Sequence, residues 1–256
     1  MAEQGIDERL DQAFQDTLTN ASAALTAVRG ALSGAGSDAW DAFNAVHQRA
    51  TALPQVGSVV AAAIQAVVDD TKATDDYRRQ TVTELRDAGT RRLQREYRDL
   101  VHVDFPALEA RLSEASLPTS SSVAAGDQML RRQEVDALVA GVNGAGMPER
   151  MLSILGQNPA WDQVLCSDYG RVLLIKADQA AFWPQFRTTA AAKLLTSDVG
   201  SEKQRASRKA LLALRDGEVR GRLDAFFLAG QRAIPPAFNE RNPKRGIDLD
   251  AIHKGR

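Results

Sequence analysis

SVVAAAIQAVVDDTKATDDYRRQTVTELRDAGTRRLQREYRDL, residues 58–100, contains no proline and a single glycine, Gly89. Val60, Ile64, Val67 and Thr71 step by three or four residues, the spacing of one helix face. Val82, Leu85, Gly89, Leu93, Tyr97 and Leu100 resume the stripe. Between them Asp69–Thr81 is polar all round, with Tyr77 its only large apolar side chain. The stretch reads either as one helix of roughly 43 residues, about 65 Å long, or as two helices broken near Asp75. Val82, Leu93 and Gly89, Leu100 are spaced to stay in phase on a nearly straight helix.

Towards the N-terminus, Leu10, Phe14, Leu18, Ala21, Leu25, Val28 and Leu32 form another helical face, ended by Gly30, Gly34 and Gly36. Ser37 or Asp38 can cap the next helix, whose stripe Trp40, Phe43, His47, Ala50 is expected to close at Pro54. Downstream, Leu100–Phe105 alternates apolar and polar residues and reads as a short strand before Pro106. LPTSSSVAAG, residues 117–126, has the composition of a linker. Shorter helices follow: one over 127–140, one opened by Pro148 and one opened by Asn158 and Pro159. Arg171–Lys176 is either helical or a buried strand, and Ser197 or Asp198 is expected to cap a helix running towards Asp216. Gly217 and Gly221, four apart, suggest close helix approach. Pro235 and Pro236 stop the last helix. The expected fold is all-α: a long-helix N-terminal part (1–115), a linker (116–126), a compact helical C-terminal part (127–234) and an extended C-terminal tail (235–256). Trp40, Phe43, Trp161, Trp183, Phe226 and Phe227 are the expected large core residues.

Apolar residues make up 44% of the 256 and charged residues 25%, a globular rather than disordered balance. Residues 1–115 hold 18 acids and 12 bases and residues 116–256 hold 15 acids and 20 bases, so a net charge of −1 conceals halves of opposite sign. Such halves can attract or stack head to tail, or simply wear mixed, solvated surfaces. Cys166 is the sole cysteine, which excludes an intrachain disulfide and fits a reducing compartment. The acidic start MAEQGIDERL has no signal-peptide core, and the longest apolar run, Val56–Val68, is shorter than the ~20 residues of a membrane span. The expectation is a cytoplasmic chain, or one built into a particle assembled in the cytoplasm, without membrane contact.

Asp69, Asp70, Asp75 and Asp76, followed by Arg78 and Arg79, form the sharpest local pattern. Aspartate pairs about a turn apart can hold Mg²⁺ against a diphosphate, with arginines on phosphate oxygens. These dozen residues resemble the first aspartate-rich motif of isoprenyl diphosphate synthases, which are also all-α. The resemblance implies a Mg²⁺-dependent diphosphate enzyme with a second such motif, yet no Asp-Asp pair occurs after Asp76. The other reading is a solvated helix surface. Lys203, Arg205, Arg208 and Lys209 form a basic cluster able to meet phosphates, as does the row Arg91, Arg95, Arg98, whose charge is partly matched by Asp87 and Asp99. Neither has interleaved aromatics, so nucleic acid is a possible but not a favoured partner. His47, His102 and His253 lack metal-ligand spacing. Cys166 has no nucleophile signature around it. Gly141–Gly146 lacks the strand and the Lys-Ser/Thr of a phosphate loop.

With no catalytic, cofactor or metal motif read in it, the chain is expected not to be an enzyme. It reads as a structural or assembly protein acting through protein–protein contacts, in a homo- or hetero-oligomer such as a virion or secretion machine. The nucleic-acid-associated protein and the diphosphate enzyme stand as alternatives. Phe238, Ile247, Leu249 and Ile252, with Lys244 and Arg245, are the expected partner-binding residues: sparse apolar anchors in a polar, proline-bearing stretch that needs another surface to order it.

Overall fold

The computed structural model describes residues 2–118, 125–198 and 200–235, and among these every regular element is helical. The long helices come first: α1 (Ala2–Ala31), α2 (Ser37–Asp69) and α3 (Asp75–Asp99). A π-helical turn, Leu100–Asp104, leads into α4 (Phe105–Ser116). Shorter helices follow: α5 (Ala125–Val139), α6 (Gly146–Ile154), α7 (Pro159–Leu165), α8 (Asp168–Lys176), a 3₁₀ turn (Ala180–Phe182) and α9 (Trp183–Lys193). The last are α10 (Glu202–Asp216), α11 (Val219–Arg222) and α12 (Asp224–Ala233). The expected extended tail from residue 236 on, and residues 119–124 of the expected linker, lie outside the described residues.

Several local alternatives are decided, and other expectations are corrected. The 58–100 stretch is two helices, with the break at residues 70–74. Thr74 caps α3 by accepting from Tyr77 N, Asp75 and Asp76 occupy the positive end of the helix dipole, and Asp70 Oδ1 accepts from Lys72 N in the turn. Pro54 does not end α2; it lies inside it. The proline forfeits one backbone bond, but Leu53 before it and Ile64 and Val68 after it are all buried, so both sides of the helix are anchored. Leu100–Phe105 is a π turn instead of a strand: Phe105 N donates to Leu100 O, and the inserted residue lets Leu100 and Phe105, five apart, both be buried. Arg171–Lys176 is helical within α8. Ser201, not Ser197 or Asp198, caps α10, in a reciprocal capping box with Gln204. Gly217 closes α10 instead of packing a helix, and a side chain at Gly221 would meet nothing within 4 Å. Phe43 and Phe226 are buried, whereas Trp40, Trp161, Trp183 and Phe227 are half-buried.

The described residues divide into two compact units that interleave along the sequence: those within 2–25, 44–106 and 218–235 form one, and those within 26–43 and 107–217 the other. In the first, α2 and α3 run antiparallel, with Val82 against Ile64 and Val68 and Gly89 against Val60. A Cβ at Gly89 would come within 2.5 Å of Val60 Cγ2, so glycine is what allows this approach. Gly57 and Gly230 bring α2 and α12 together backbone to backbone. Tyr97 packs its ring 4.6 Å from that of Phe227 and donates its hydroxyl to Asp224. Arg232 of α12 stacks over Phe14 at 4.1 Å and lies 3.8 Å from Asp11. Arg49 ties the π turn down, reaching Glu96 before it and Asp104 at its end at 2.5 Å each.

In the second unit, Val135, Met151, Ile154, Leu165, Leu174, Phe186 and Ala190 are the centre of one apolar core contributed by α5–α9. Polar side chains bind its rim: Trp161 Nε1 donates to Glu134 (2.8 Å), Tyr169 Oη to Asp136 (2.6 Å) and Lys193 Nζ to Leu152 O (2.5 Å). Residues of α10 complete α4. Gln204 Nε2 donates to Leu117 O (3.0 Å) and Arg208 Nη1 to Ser116 O (2.9 Å), which satisfies carbonyls that the end of α4 leaves open.

Candidate functional site

The residues expected to meet phosphate do not share one surface. Arg208 is 2% exposed, and burial, with Arg205 nearby, lowers its pKa. Its guanidinium is directed at the negative end of α4, where a cation is favoured by the helix dipole. Lys203, Arg205 and Lys209 are exposed. Arg205 and Lys209 line a 380 Å³ groove with Glu202, Gly30, Ala31 and Ser33. That groove abuts the carbonyl end of α1, and Glu202 offsets part of its positive charge. A second cleft, of 470 Å³, lies among Glu109, Glu114, Trp183, Arg187 and Arg215. In it Arg187 stands over the Trp183 ring at 5.7 Å and pairs with Glu114 at 2.5 Å, so acids and bases there match one for one.

The aspartate pattern serves the α2–α3 turn. Arg78, 3% exposed, turns inward and donates to Asp70 O, while Asp75 lies 3.7 Å from it. Asp69, Asp70, Asp75 and Asp76 all remain exposed. Among the described side chains no three His, Cys, Asp or Glu residues converge to hold a metal ion. Cys166 is buried, and loss of hydration pushes its thiol up to about 12, far from the thiolate a nucleophile needs.

The feature that stands out is the surface of α2. Leu53, Gly57, Ile64 and Val68 form its buried face. Gln55, Ser58, Ala62, Gln65 and Asp69 form a small and polar face. Between them runs a third face, apolar throughout and at helical spacing: Val59 and Ala66 are exposed, Val56 and Ala63 half-buried, and Val67, at its edge, packs against Ile64, Val68 and Val82. Val59 is 64% exposed. Only 22% of the most apolar 18-residue window of α2 is buried. By length and composition α2 is the one helix among the described residues long and apolar enough to cross a membrane, although Gln55, Ser58 and Gln65 interrupt its surface. The sequence pattern taken as a single stripe at Val60, Ile64 and Val67 hides this flank. The available signal is that Ala and Val occupy nearly the whole circumference from 59 to 68.

The expected partner-binding residues Phe238, Lys244, Arg245, Ile247, Leu249 and Ile252 lie outside the described residues. No protein-family profile, curated protein or solved structure matches the chain.

Proposed function

We propose that the chain is a structural or assembly protein that works through protein–protein contacts, as a subunit of a larger complex. The reading is carried by the apolar flank of α2. An exposed apolar side chain forfeits about 25 cal/mol per Å² of surface that a partner would remove from water. Scattered exposed residues are normal, but a contiguous row on one helix is the usual mark of a contact surface. The polar neighbours Gln55, Ser58, Gln65 and Asp69 favour a protein partner over lipid, because in hydrocarbon their polar groups lack partners.

The test is the mass of the full chain by light scattering across a concentration series, beside Val59→Glu. A mass above one chain for wild type, falling to one chain for the charged variant at unchanged helicity, is the expected result. A monomer at all concentrations that captures lipid vesicles through α2 would instead assign the flank to a membrane.

A further inference from the structure

We propose that the α2 flank receives residues 237–256 of a second copy of this chain, exchanged reciprocally to close a dimer. This rests on the reading that the flank is a contact between chains; what it adds is the occupant. Three observations single that segment out. The first is chemical match along the flank. Val56, Val59, Ala63, Ala66 and Val67 end at an exposed acidic elbow, Asp69, Asp70, Asp75 and Asp76. Residues 237–256 supply apolar anchors, Phe238, Ile247, Leu249 and Ile252, and an excess of bases: Arg241, Lys244, Arg245, Lys254 and Arg256 against Glu240, Asp248 and Asp250. Small apolar residues on a helix admit large side chains closely, and an elbow of unlike sign fixes the direction of docking.

The second observation is where the described chain leaves the fold. The end of α12 packs on α2: a Cβ at Gly57 would fall against Gly230 O and within 2.8 Å of Ala233 Cβ. The described chain therefore ends beside the helix that carries the acceptor flank. Exchange of residues 237–256 between two copies is reciprocal about a two-fold axis, so the assembly closes instead of growing into a filament. The third is charge. Residues 237–256 carry a basic excess and residues 1–115, which hold the flank, an acidic one, so the segment and its acceptor are of unlike sign.

A Val59→Cys chain tests this, because the native Cys166 is buried and its thiol is pushed up to about 12, leaving little background reaction. Maleimide labelling is timed at rising protein concentration, with mass measured in parallel. The samples are the full chain, the chain without 237–256, and a full-length Ile247→Glu/Leu249→Glu variant that removes no backbone. The expected outcome is a full-length dimer labelled about tenfold more slowly than its own dilute monomer, a factor worth about 1.4 kcal/mol of protection. The two altered chains should be monomeric, equally helical and fast, and a synthetic 237–256 peptide should restore the protection. Protection of a monomer at every concentration would overturn the proposal in favour of docking within one chain. Altered chains that still assemble through Val59 would remove the segment while leaving the assembly reading intact. A full chain that is monomeric and unprotected throughout would overturn both.

Discussion

Replacing Gly57 by alanine sets two effects of opposite sign against each other in α2. In a helix interior alanine is favoured over glycine by about 1 kcal/mol, since glycine gives up more backbone freedom on folding. At Gly57 the new methyl would lie against Gly230 O, a backbone atom, and within 2.8 Å of Ala233 Cβ. A carbon needs roughly 3.5 Å from its neighbours, so α12 must move away from α2 by a substantial fraction of an ångström. The partner is backbone and cannot rotate aside. Gly230 leaves little slack, because its own Cα already sits close enough to α2 and α3 that a Cβ there would meet Leu53 O and lie 2.7 Å from Leu93 Cδ1. Overpacking of this kind costs about 1–3 kcal/mol, and an unyielding partner belongs at or above the top of that range. After the propensity gain, the net is a loss of about 2 kcal/mol, or roughly 4–8 °C in Tm for a chain of this size.

The control is Gly30→Ala, near the end of α1, where an added Cβ would meet nothing within 4 Å. There only the propensity effect operates, and stability should rise by roughly 0.5 kcal/mol or more. Urea unfolding followed by helical circular dichroism reads both variants. A Gly57→Ala chain as stable as wild type, with Gly30→Ala stabilised as expected, would show that α12 does not pack on α2 in this way.

Arg49→Met should lower stability by about 1–3 kcal/mol in the same assay, because Asp104, its carboxylate 13% exposed, loses the cation that compensates its burial; hydrogen exchange at Leu100–Phe105 should quicken. Burial, then the hydrogen bond to a carboxylate, pushes Tyr97 and Tyr169 up to about 12. Their neutral forms are thus favoured by the fold, a contribution complete below the ordinary value of 10 and lost as pH rises through about 12; ultraviolet titration should place both ionisations late, and Tyr97→Phe should remove one. Asp162 is raised above its ordinary value by burial, against the opposing hydrogen bond from Gly156 N at 2.8 Å. The native state then takes its proton first, so wild-type stability relative to Asp162→Asn should increase as pH falls from neutral through the raised value and level off below the ordinary one; a difference independent of pH would contradict this.

The all-α class, the long first helix and the cap at Asn158 were legible because they follow from residue spacing and from one-residue chemistry. The turn at 70–74 was legible only as an alternative, since a polar run at helical spacing is equally a solvated helix face. What separates the readings is Arg78, which turns inward to Asp70 O, and nothing in the local pattern marks an arginine as buried. The same holds for Arg208. It looks like one base among four, and its burial is decided by an open carbonyl at Ser116, 92 residues away in sequence. The glycines show the same limit. Gly217 and Gly221 carry the spacing associated with close packing, but Gly57, Gly89 and Gly230 do the packing, each against a helix remote in sequence. Pro54 misled because a helix stop is a local preference worth a few kcal/mol, and anchoring of α2 on both sides outweighs it.

The flank of α2 proposed as a contact surface was hard to see for the same reason. A helix rich in Ala and Val is apolar over a wider arc than one or two neighbours can cover. In α2 the arc spans both the face packed by α3 and α12 and the flank from Val56 to Val67. Intrachain packing uses the first, through Gly57, Leu53, Ile64 and Val68, and reaches the edge of the second at Val67, which packs against Ile64, Val68 and Val82. If the second served the fold, a further helix would lie on it, yet Val59 remains largely in solvent. If it served nothing, polar residues there would cost the fold little, as Gln55, Ser58 and Gln65 on the adjacent face illustrate. An apolar row on one side of a helix whose other exposed side is polar is what the proposed contact between chains would cover, and Val59 is the position at which a single charge should remove that contact.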